Sequence, residues 1–314
     1  MKIYTSLDSI DYDAPVALAL GNFDGVHKGH QALISETASI ARRRGIKSAV
    51  FTFTNHPANV IAQKTVVKNI MDFDEKAEAI RNCGVDYLVS VDFDKAMRES
   101  LPEAFCRDIL AGALKAEAVA CGFNFRFAYK AQGTPDILKH FGLLYGYETS
   151  VMEPVYVDGE IVSSTVIRKA ISEGRVSDYI NYTGRPYDIE GIVIQGRHLG
   201  RRIGFPTVNL ALSCEMVQPR NGVYITKTLV NTCEGVSRWL PSITNVGNKP
   251  SVGIFDKNAE THIFGFNEDI YGEKIKVEFI KILRLERKFP DLETLQARIH
   301  EDCLTALAYH SKEE

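Results

Sequence analysis

Along the first half of the chain, apolar residues alternate between two spacings. Short, nearly continuous apolar runs are strand-sized: PVALALGNF (15–23), SAVFTFTNHP (48–57), DYLVSVDF (86–93) and AEAVACGFNF (116–125). Between them, QALISETASIARRR, DFDEKAEAIRNCG, EAFCRDILAGALK and TPDILKHFG space their apolar positions every three to four residues, which predicts helices. Punctuation agrees with this reading. Gly45 closes the first helix, Pro57 stops the second strand and Pro135 sits in the first turn of the last of these helices. Strands alternating with helices predict an open, doubly wound parallel α/β sheet, in which ligands bind beyond the carboxyl ends of the strands. VSSTVIRKAISEG (162–174) adds an amphipathic helix stopped by Gly174, with Ser163, Ser164 and Thr165 at its amino end.

The register changes at Asn181-Tyr-Thr-Gly-Arg-Pro-Tyr187. Beyond it YDIEGIVIQ, GVYITKTLV, PSITNVG, HIFGF and KIKVEFIKIL, separated by Gly, Pro, Asn and Asp, predict a small antiparallel β-barrel, closed by a C-terminal helix over LETLQARIHEDCLTALAYH. The 314 residues, 45% of them apolar, suffice for two such domains, and the predicted division is 1–184 and 185–314.

Charge narrows the partners. Lys plus Arg 37 against Asp plus Glu 40 leaves −3, too little positive field to grip a nucleic acid or an anionic membrane surface. The triplet Arg42-Arg43-Arg44 reads as a solvated helix end that favours the dipole. The start carries no secretory pattern, no apolar run approaches 18 residues, and the six cysteines (Cys83, Cys106, Cys121, Cys214, Cys233, Cys303) are dispersed without a CxxC pair. The expectation is a cytoplasmic protein with small-molecule partners, no nucleic acid and no membrane; the sequence assigns no oligomeric state.

Two constellations carry chemistry. In Gly21-Asn22-Phe23-Asp24-Gly25-Val-His27-Lys-Gly-His30, two imidazoles three residues apart open a helix after a strand, so both can face one side of its first turn. Such a pair suits the phosphates of a nucleoside triphosphate, with glycines allowing close backbone approach; helix capping is the plainer alternative. His56, Asn124 and Arg126 fall at other strand ends, and Ser164, Thr165 and Arg168 supply hydroxyl and cationic contacts. The second run is Gly196-Arg-His-Leu-Gly-Arg-Arg-Ile-Gly204-Phe-Pro206-Thr207-Val-Asn209. Thr207 and Asn209 alternate on one face and can direct two oxygens toward a cation; a Gly-Pro loop around a buried Phe205 is the plainer alternative. It lacks the GKS or GKT ending of a P-loop.

GNFDGVHKGH with SSTVIR resembles the HxGH nucleotidyltransferases, and with FTFTNHP and CGFNFRF it resembles the amino-terminal half of the bacterial bifunctional riboflavin kinase/FMN adenylyltransferases. GFPTVNL, Pro219 to Tyr224, Asn245-x-Gly247-x-x-Pro250, Glu260 ahead of THIFGF, Arg284 and Lys288-Phe289 resemble the kinase half. The resemblance implies ATP-dependent phosphorylation of riboflavin to FMN and adenylation of FMN to FAD, with Mg2+. It places His27, His30, Asn124 and Arg168 on the ATP phosphates, with Ser163, Ser164 and Thr165 beside them. The turn from Gly21 to Gly25, His56 and Arg126 would shape the nucleotide site. Thr207 and Asn209 would hold Mg2+, and Glu260 would orient or deprotonate the ribityl hydroxyl. Gly204, Pro206, Asn245, Gly247 and Arg284 would line the ATP and flavin loops.

Some positions depart from the family's commonest pattern. Thr54-Asn55 replaces an acidic-Pro pair, Asn124 an Asp, Ala128 a Gly and Ser251 a Thr; Tyr182-Thr183 replaces a short aliphatic approach, and Asn258-Ala259 gives Glu260 no acidic companion. Ala128 would be strained if its position requires positive φ. The alternatives are a single-activity FAD synthetase with a non-catalytic flavin-binding carboxyl-terminal domain and another small-molecule nucleotidyltransferase.

Overall fold

A computed structural model describes residues 1–196, 200, 204–231, 236–248 and 257–312. The chain divides into two units, Met1–Ser164 and Thr165–Glu314. Cys233, Pro250, Ser251 and most of the stretch between Gly196 and Gly204 lie outside the described residues.

The first unit is built on β1 (Lys2–Tyr4), β2 (Val16–Leu20), β3 (Lys47–Phe53), β4 (Tyr87–Val91), β5 (Ala116–Gly122) and β6 (Glu148–Met152). All pair in parallel in the order β1-β4-β3-β2-β5-β6. The helices are α1 (Lys28–Arg44), α2 (Pro57–Ala62), α3 (Phe73–Arg81), α4 (Lys95–Glu99), α5 (Pro102–Ala104), which runs on as a π-helix over Phe105–Ala113, and α6 (Pro135–Tyr145). Alternation along β2 shows how both sheet faces are covered. Val16, Leu18 and Leu20 pack with Phe105, Leu110 and Leu138, whereas Ala17 packs with Ile40 and Ala41 of α1. The doubly wound expectation is therefore met. From β2 the chain steps to β3 and β4 on one side, then jumps to β5 and β6 on the other, so the switch point lies at the end of β2, where the histidine motif begins.

A hairpin, β7 (Tyr156–Val157) with β8 (Glu160–Ile161), precedes α7 (Ser164–Ser172) and α8 (Val176–Thr183). In the second unit β9 (Tyr187–Ile192), β10 (Val208–Leu212), β11 (Gly222–Asn231), β12 (Ser237–Asn248), β13 (Lys257–Ile263) and β14 (Lys274–Leu285) form an antiparallel sheet in the order β10-β13-β12-β11-β14-β9. A bridge between Ile194, just past β9, and Asn209 of β10 joins the two edges into a nearly closed barrel. One face carries a ladder of fully buried hydroxyls, Thr228, Ser242, Thr226, Thr244 and Thr261, linked at 2.7–2.9 Å. The other packs Val223, Ile225 and Ile243 against Cys303 and Ala306 of the last helix, α9 (Leu292–His310).

Several elements differ from the pattern-based expectation. The HIFGF strand ends at Ile263, because Gly265 turns the chain at φ +69° and Phe264 N–H bonds the Pro241 carbonyl outside the strand ladder. α6 runs through Gly142 to Tyr145: a Cβ there would lie 2.5 Å from the Tyr147 carbonyl, so this glycine allows close packing rather than ending the helix. The edge strands β1 and β6 and the helices α2 and α8 were not among the predicted elements, nor was β10 as a separate strand, although its sequence VNLAL is largely apolar. Cys106, Cys121 and Cys303 are buried thiols, the latter two pushed up to about 11 by burial; Cys83 and Cys214 are half-buried, and Cys83 Sγ donates to the Ala79 carbonyl. Among the described residues no helix is long and apolar enough to cross a membrane.

Candidate functional site

The turn after β2 is held in a conformation that most side chains avoid. Phe23 (φ +51°), Gly25 (φ +82°) and Val26 (φ +34°) all lie at positive φ, and all three are buried. Two non-glycine residues in this region store strain of about 1–3 kcal/mol each, which the surrounding packing must offset. Asp24 supplies part of that anchoring. Buried, its carboxylate accepts from Ile70 N–H at 3.0 Å and Met71 N–H at 3.3 Å, and its carbonyl accepts from the Ser164 hydroxyl at 2.8 Å. Asp24 and Ser164 thus fix the turn.

His27 is the N-cap of α1, and its Nδ1 accepts from His30 N–H at 3.3 Å. An accepting Nδ1 puts the neutral ring's proton on Nε2. His30 lies against it, rings stacked at 3.6 Å, with the edge of Phe23 5.1 Å away. Burial, reinforced by His27 and Lys76, holds the His30 imidazole well below its ordinary value, so it is neutral at pH 7. Its Nδ1 is buried without a hydrogen-bond partner among the described residues. His56 repeats the arrangement as N-cap of α2, its Nδ1 accepting from Ala58 N–H at 3.2 Å.

An open cleft lies beside this turn, lined by Asn22, Asp24, Phe53, Thr54, Asn55, His56 and Pro57 from the two strand ends and by Asn69, Met71, Asp72, Phe73 and Lys76 from the following segment. Thr54 and Asn55 brace the rim: Thr54 bonds Asp92, and Asn55 Oδ1 accepts from Phe93 N–H at 2.8 Å. Lys76 is a site residue that motif reading missed. It lies on the apolar stripe of α3 with Phe73, Ala77 and Ile80, and a lysine at such a position is the legible signal. Asn124 and Arg126 stand exposed in the turn after β5, Gly21 adjoins the Phe23 ring, Ser163 ends the first unit with Ser164, and Thr165 and Arg168 belong to α7 of the second.

The barrel gathers its candidates by register. Asn209 of β10 pairs with Glu260 of β13, Glu260 with Asn245 of β12, Asn245 with Val223 of β11, and Val223 with Arg284 of β14. Directly opposed residues of antiparallel strands share a face, so this row presents two amides, a carboxylate and a guanidinium over about 19 Å at the usual strand spacing. Asn209 is buried, and its Oδ1 accepts from Asn258 Nδ2 at 2.7 Å; Asn258 Oδ1 is itself buried without a hydrogen-bond partner among the described residues. A Cβ on Gly196 would come within 2.4 Å of the Asn209 amide. Thr207 precedes β10, exposed Pro206 presents its carbonyl 2.7 Å from His262 Nδ1, and Gly204 turns at φ +86°. Gly247 faces Glu286, which accepts from Asn221. Arg284 donates through Nε to Asp302 Oδ2 at 2.8 Å, and the carboxylate is buried between Arg284 and Arg298. Sequence reading named Asn258 only as a departure beside Glu260 and missed its bond to Asn209, and it missed Asp302, which carries no motif.

A parallel α/β unit with a histidine-pair turn at its switch point, followed by a barrel with an amide–carboxylate row, defines a nucleotidyltransferase-type unit joined to a flavokinase-type unit. A family model for FAD synthetase matches residues 9–166 and one for riboflavin kinase matches residues 183–310. Bifunctional riboflavin kinase/FMN adenylyltransferases are similar throughout: that of Escherichia coli K12 is 33% identical over 92% of this chain and 91% of that protein. That of Listeria monocytogenes is 34% identical over 96% and 95%, and that of Bacillus subtilis 33% over 95% and 93%. A solved structure described as a macrolide-efflux protein from Streptococcus pneumoniae matches with a TM-score of 0.85 at 27% identity, covering 97% of each chain. The chain belongs to the family of bacterial bifunctional riboflavin kinase/FMN adenylyltransferases.

Proposed function

We infer that this chain runs the two reactions of its family at two separate centres. Riboflavin is phosphorylated by ATP at the barrel, and FMN is adenylated by ATP to FAD at the turn after β2, with pyrophosphate released. The observation that carries this reading is the double clustering: in one unit a stacked histidine pair and a polar cleft that share the turn of Asn22 and Asp24, and in the other the Asn209–Glu260–Asn245 row. The proposed catalytic division at residue 184 is supported by family matches that end at 166 and resume at 183.

In adenylyl transfer the FMN phosphate oxygen forms a bond to the α-phosphorus of ATP as the bond to the leaving pyrophosphate breaks. That phosphate is already largely ionised, so the site needs no general base and acts by orientation and charge. His27 and His30, with Asn124, Arg168, Ser163, Ser164 and Thr165, are proposed to hold the ATP phosphates; the Nε2 proton of His27 is the donor that a phosphoryl oxygen requires. Gly21 to Gly25, His56 and Arg126 would shape the substrate site.

At the barrel the nucleophile is a primary hydroxyl, which profits from a carboxylate that accepts its proton as it attacks the γ-phosphorus. Glu260 is proposed for that role, between Asn209 and Asn245. Gly204, Pro206 and Gly247 would form the substrate loops, and Arg284, held by Asp302, would close on the flavin. The oxygens here suit a hard cation: Asn209 Oδ1 accepts from the amide of Asn258, whose own Oδ1 is buried without a partner among the described residues, and the Thr207 hydroxyl is two residues away on the chain. Mg2+ held there by Thr207 and Asn209 would neutralise charge on the nucleotide phosphates.

A split assay tests the reading. ADP release with riboflavin and pyrophosphate release with FMN are measured on the wild type, Glu260→Ala and His27→Ala. Glu260→Ala is expected to lose the first activity and keep the second, and His27→Ala the reverse. Loss of both activities from either change, in folded protein, would contradict two independent centres.

A further inference from the structure

Lys76 is 9% exposed, and its ammonium lines the cleft of the first unit beside Asn22, Thr54, Asn55 and His56. Burying an ammonium is costly unless an opposing charge or acceptors replace its water. Among the described residues its one hydrogen bond is to the Phe53 carbonyl, at 2.8 Å. Desolvation holds the ammonium below its ordinary value, and the Asp24 carboxylate only partly offsets that cost. Holding a strand-end carbonyl needs one neutral donor; an amide would do it without the penalty. The charge, and the two remaining N–H groups, are unexplained by the packing. Adenylyl transfer supplies the missing partner, since it brings two polyanions into bonding distance, where like charges repel strongly at the effective dielectric of a protein surface. A cation built into the cleft wall offsets that repulsion.

We propose that Lys76 is a further substrate-binding residue of the adenylyltransferase centre, its ammonium holding a phosphoryl group of either FMN or ATP in the cleft. The proposal rests on the reading of this cleft as that centre. The charge is already desolvated and in place, so its pairing with a phosphate requires little further loss of water or side-chain freedom.

The test measures FAD formation by the full chain, with KM for FMN at saturating ATP and KM for ATP at saturating FMN, for the wild type, Lys76→Gln and Lys76→Met. Glutamine removes the charge and keeps an N–H donor, on a side chain one bond shorter, while methionine, of similar length, removes charge and donor together. The expected result is a rise of tenfold or more in one of the two KM values for Lys76→Gln, with riboflavin phosphorylation unchanged; the substrate affected identifies the phosphate. Both KM values within threefold of wild type, whatever happens to kcat or melting temperature, would show that Lys76 serves only as an anchor and overturn the proposal. If Lys76→Gln does not fold, Lys76→Met is judged by the same two values. His27→Ala in the same assay separates the two ideas: undiminished FAD formation there brings down the reading of the cleft, independently of Lys76.

Discussion

The imidazoles of His27 and His30 stack face to face, centroids 3.6 Å apart and planes within 18°. Two charged rings at that distance would repel strongly, and His30 is half-buried with its Nδ1 out of contact with water, so the pair works with His30 neutral. The stability of the first unit should therefore depend on pH in a defined direction. Above about pH 6.5 neither the folded nor the unfolded chain protonates His30, and it contributes nothing. Below that, the unfolded chain binds a proton that the folded one refuses, and stability falls by about 1.4 kcal/mol per pH unit until the folded-state value is reached. Melting curves at pH 7, 6 and 5 should show this loss, with a shallower slope for His30→Asn. An unchanged slope would mean that other groups carry the acid sensitivity.

Ala128 occupies φ +63° and ψ −170°, a region nearly reserved for glycine, in a loop where Lys130 and Ala131 also lie at positive φ. The strain expected if this position demanded positive φ is thus present. Ala128→Gly removes about 1–3 kcal/mol of strain and costs up to about 1 kcal/mol in unfolded-chain entropy. A net gain of about 1 kcal/mol in denaturant unfolding is expected, and a loss of stability would refute the argument.

Asn258 orients the Asn209 amide through a buried 2.7 Å hydrogen bond. Asn258→Ala should leave Asn209 Oδ1 without that donor, at about 1–3 kcal/mol in stability. Riboflavin phosphorylation is expected to fall tenfold or more and to require more Mg2+, with FAD formation from FMN untouched. Kinase kinetics indistinguishable from wild type would exclude Asn258 from positioning the site.

Asp302 is 2% exposed and faces the Arg284 and Arg298 guanidiniums. Asp302→Asn keeps the shape and removes the charge that holds Arg284, at a cost of about 3 kcal/mol. The expected signature is a raised KM for riboflavin with the KM for FMN in FAD formation unchanged; equal effects on both reactions would point to general destabilisation.

Much of this architecture was legible in the chain because it is encoded locally. The alternation of apolar runs with helical spacing specified the parallel sheet, Gly45 and Gly174 marked helix ends, and the two histidines announced their shared face through i, i+3 geometry. The HIFGF run extends past the strand for the converse reason: the strand ends at Ile263, and Phe264 N–H is held by the Pro241 carbonyl, a partner remote in sequence.

By itself, then, the sequence determined the two kinds of unit, the order of their elements and the turn that carries the histidines, since periodicity, capping and turn chemistry act over a few residues. The tertiary structure decided what those residues face. Strand register placed Asn209, Glu260, Asn245 and Arg284 in one row although they span 75 positions, and pairing between strands remote in sequence leaves no local trace. Burial likewise turned Lys76 from one charged residue on a helix into a desolvated cation in a cleft, because a charge acquires its environment only from the elements that cover it.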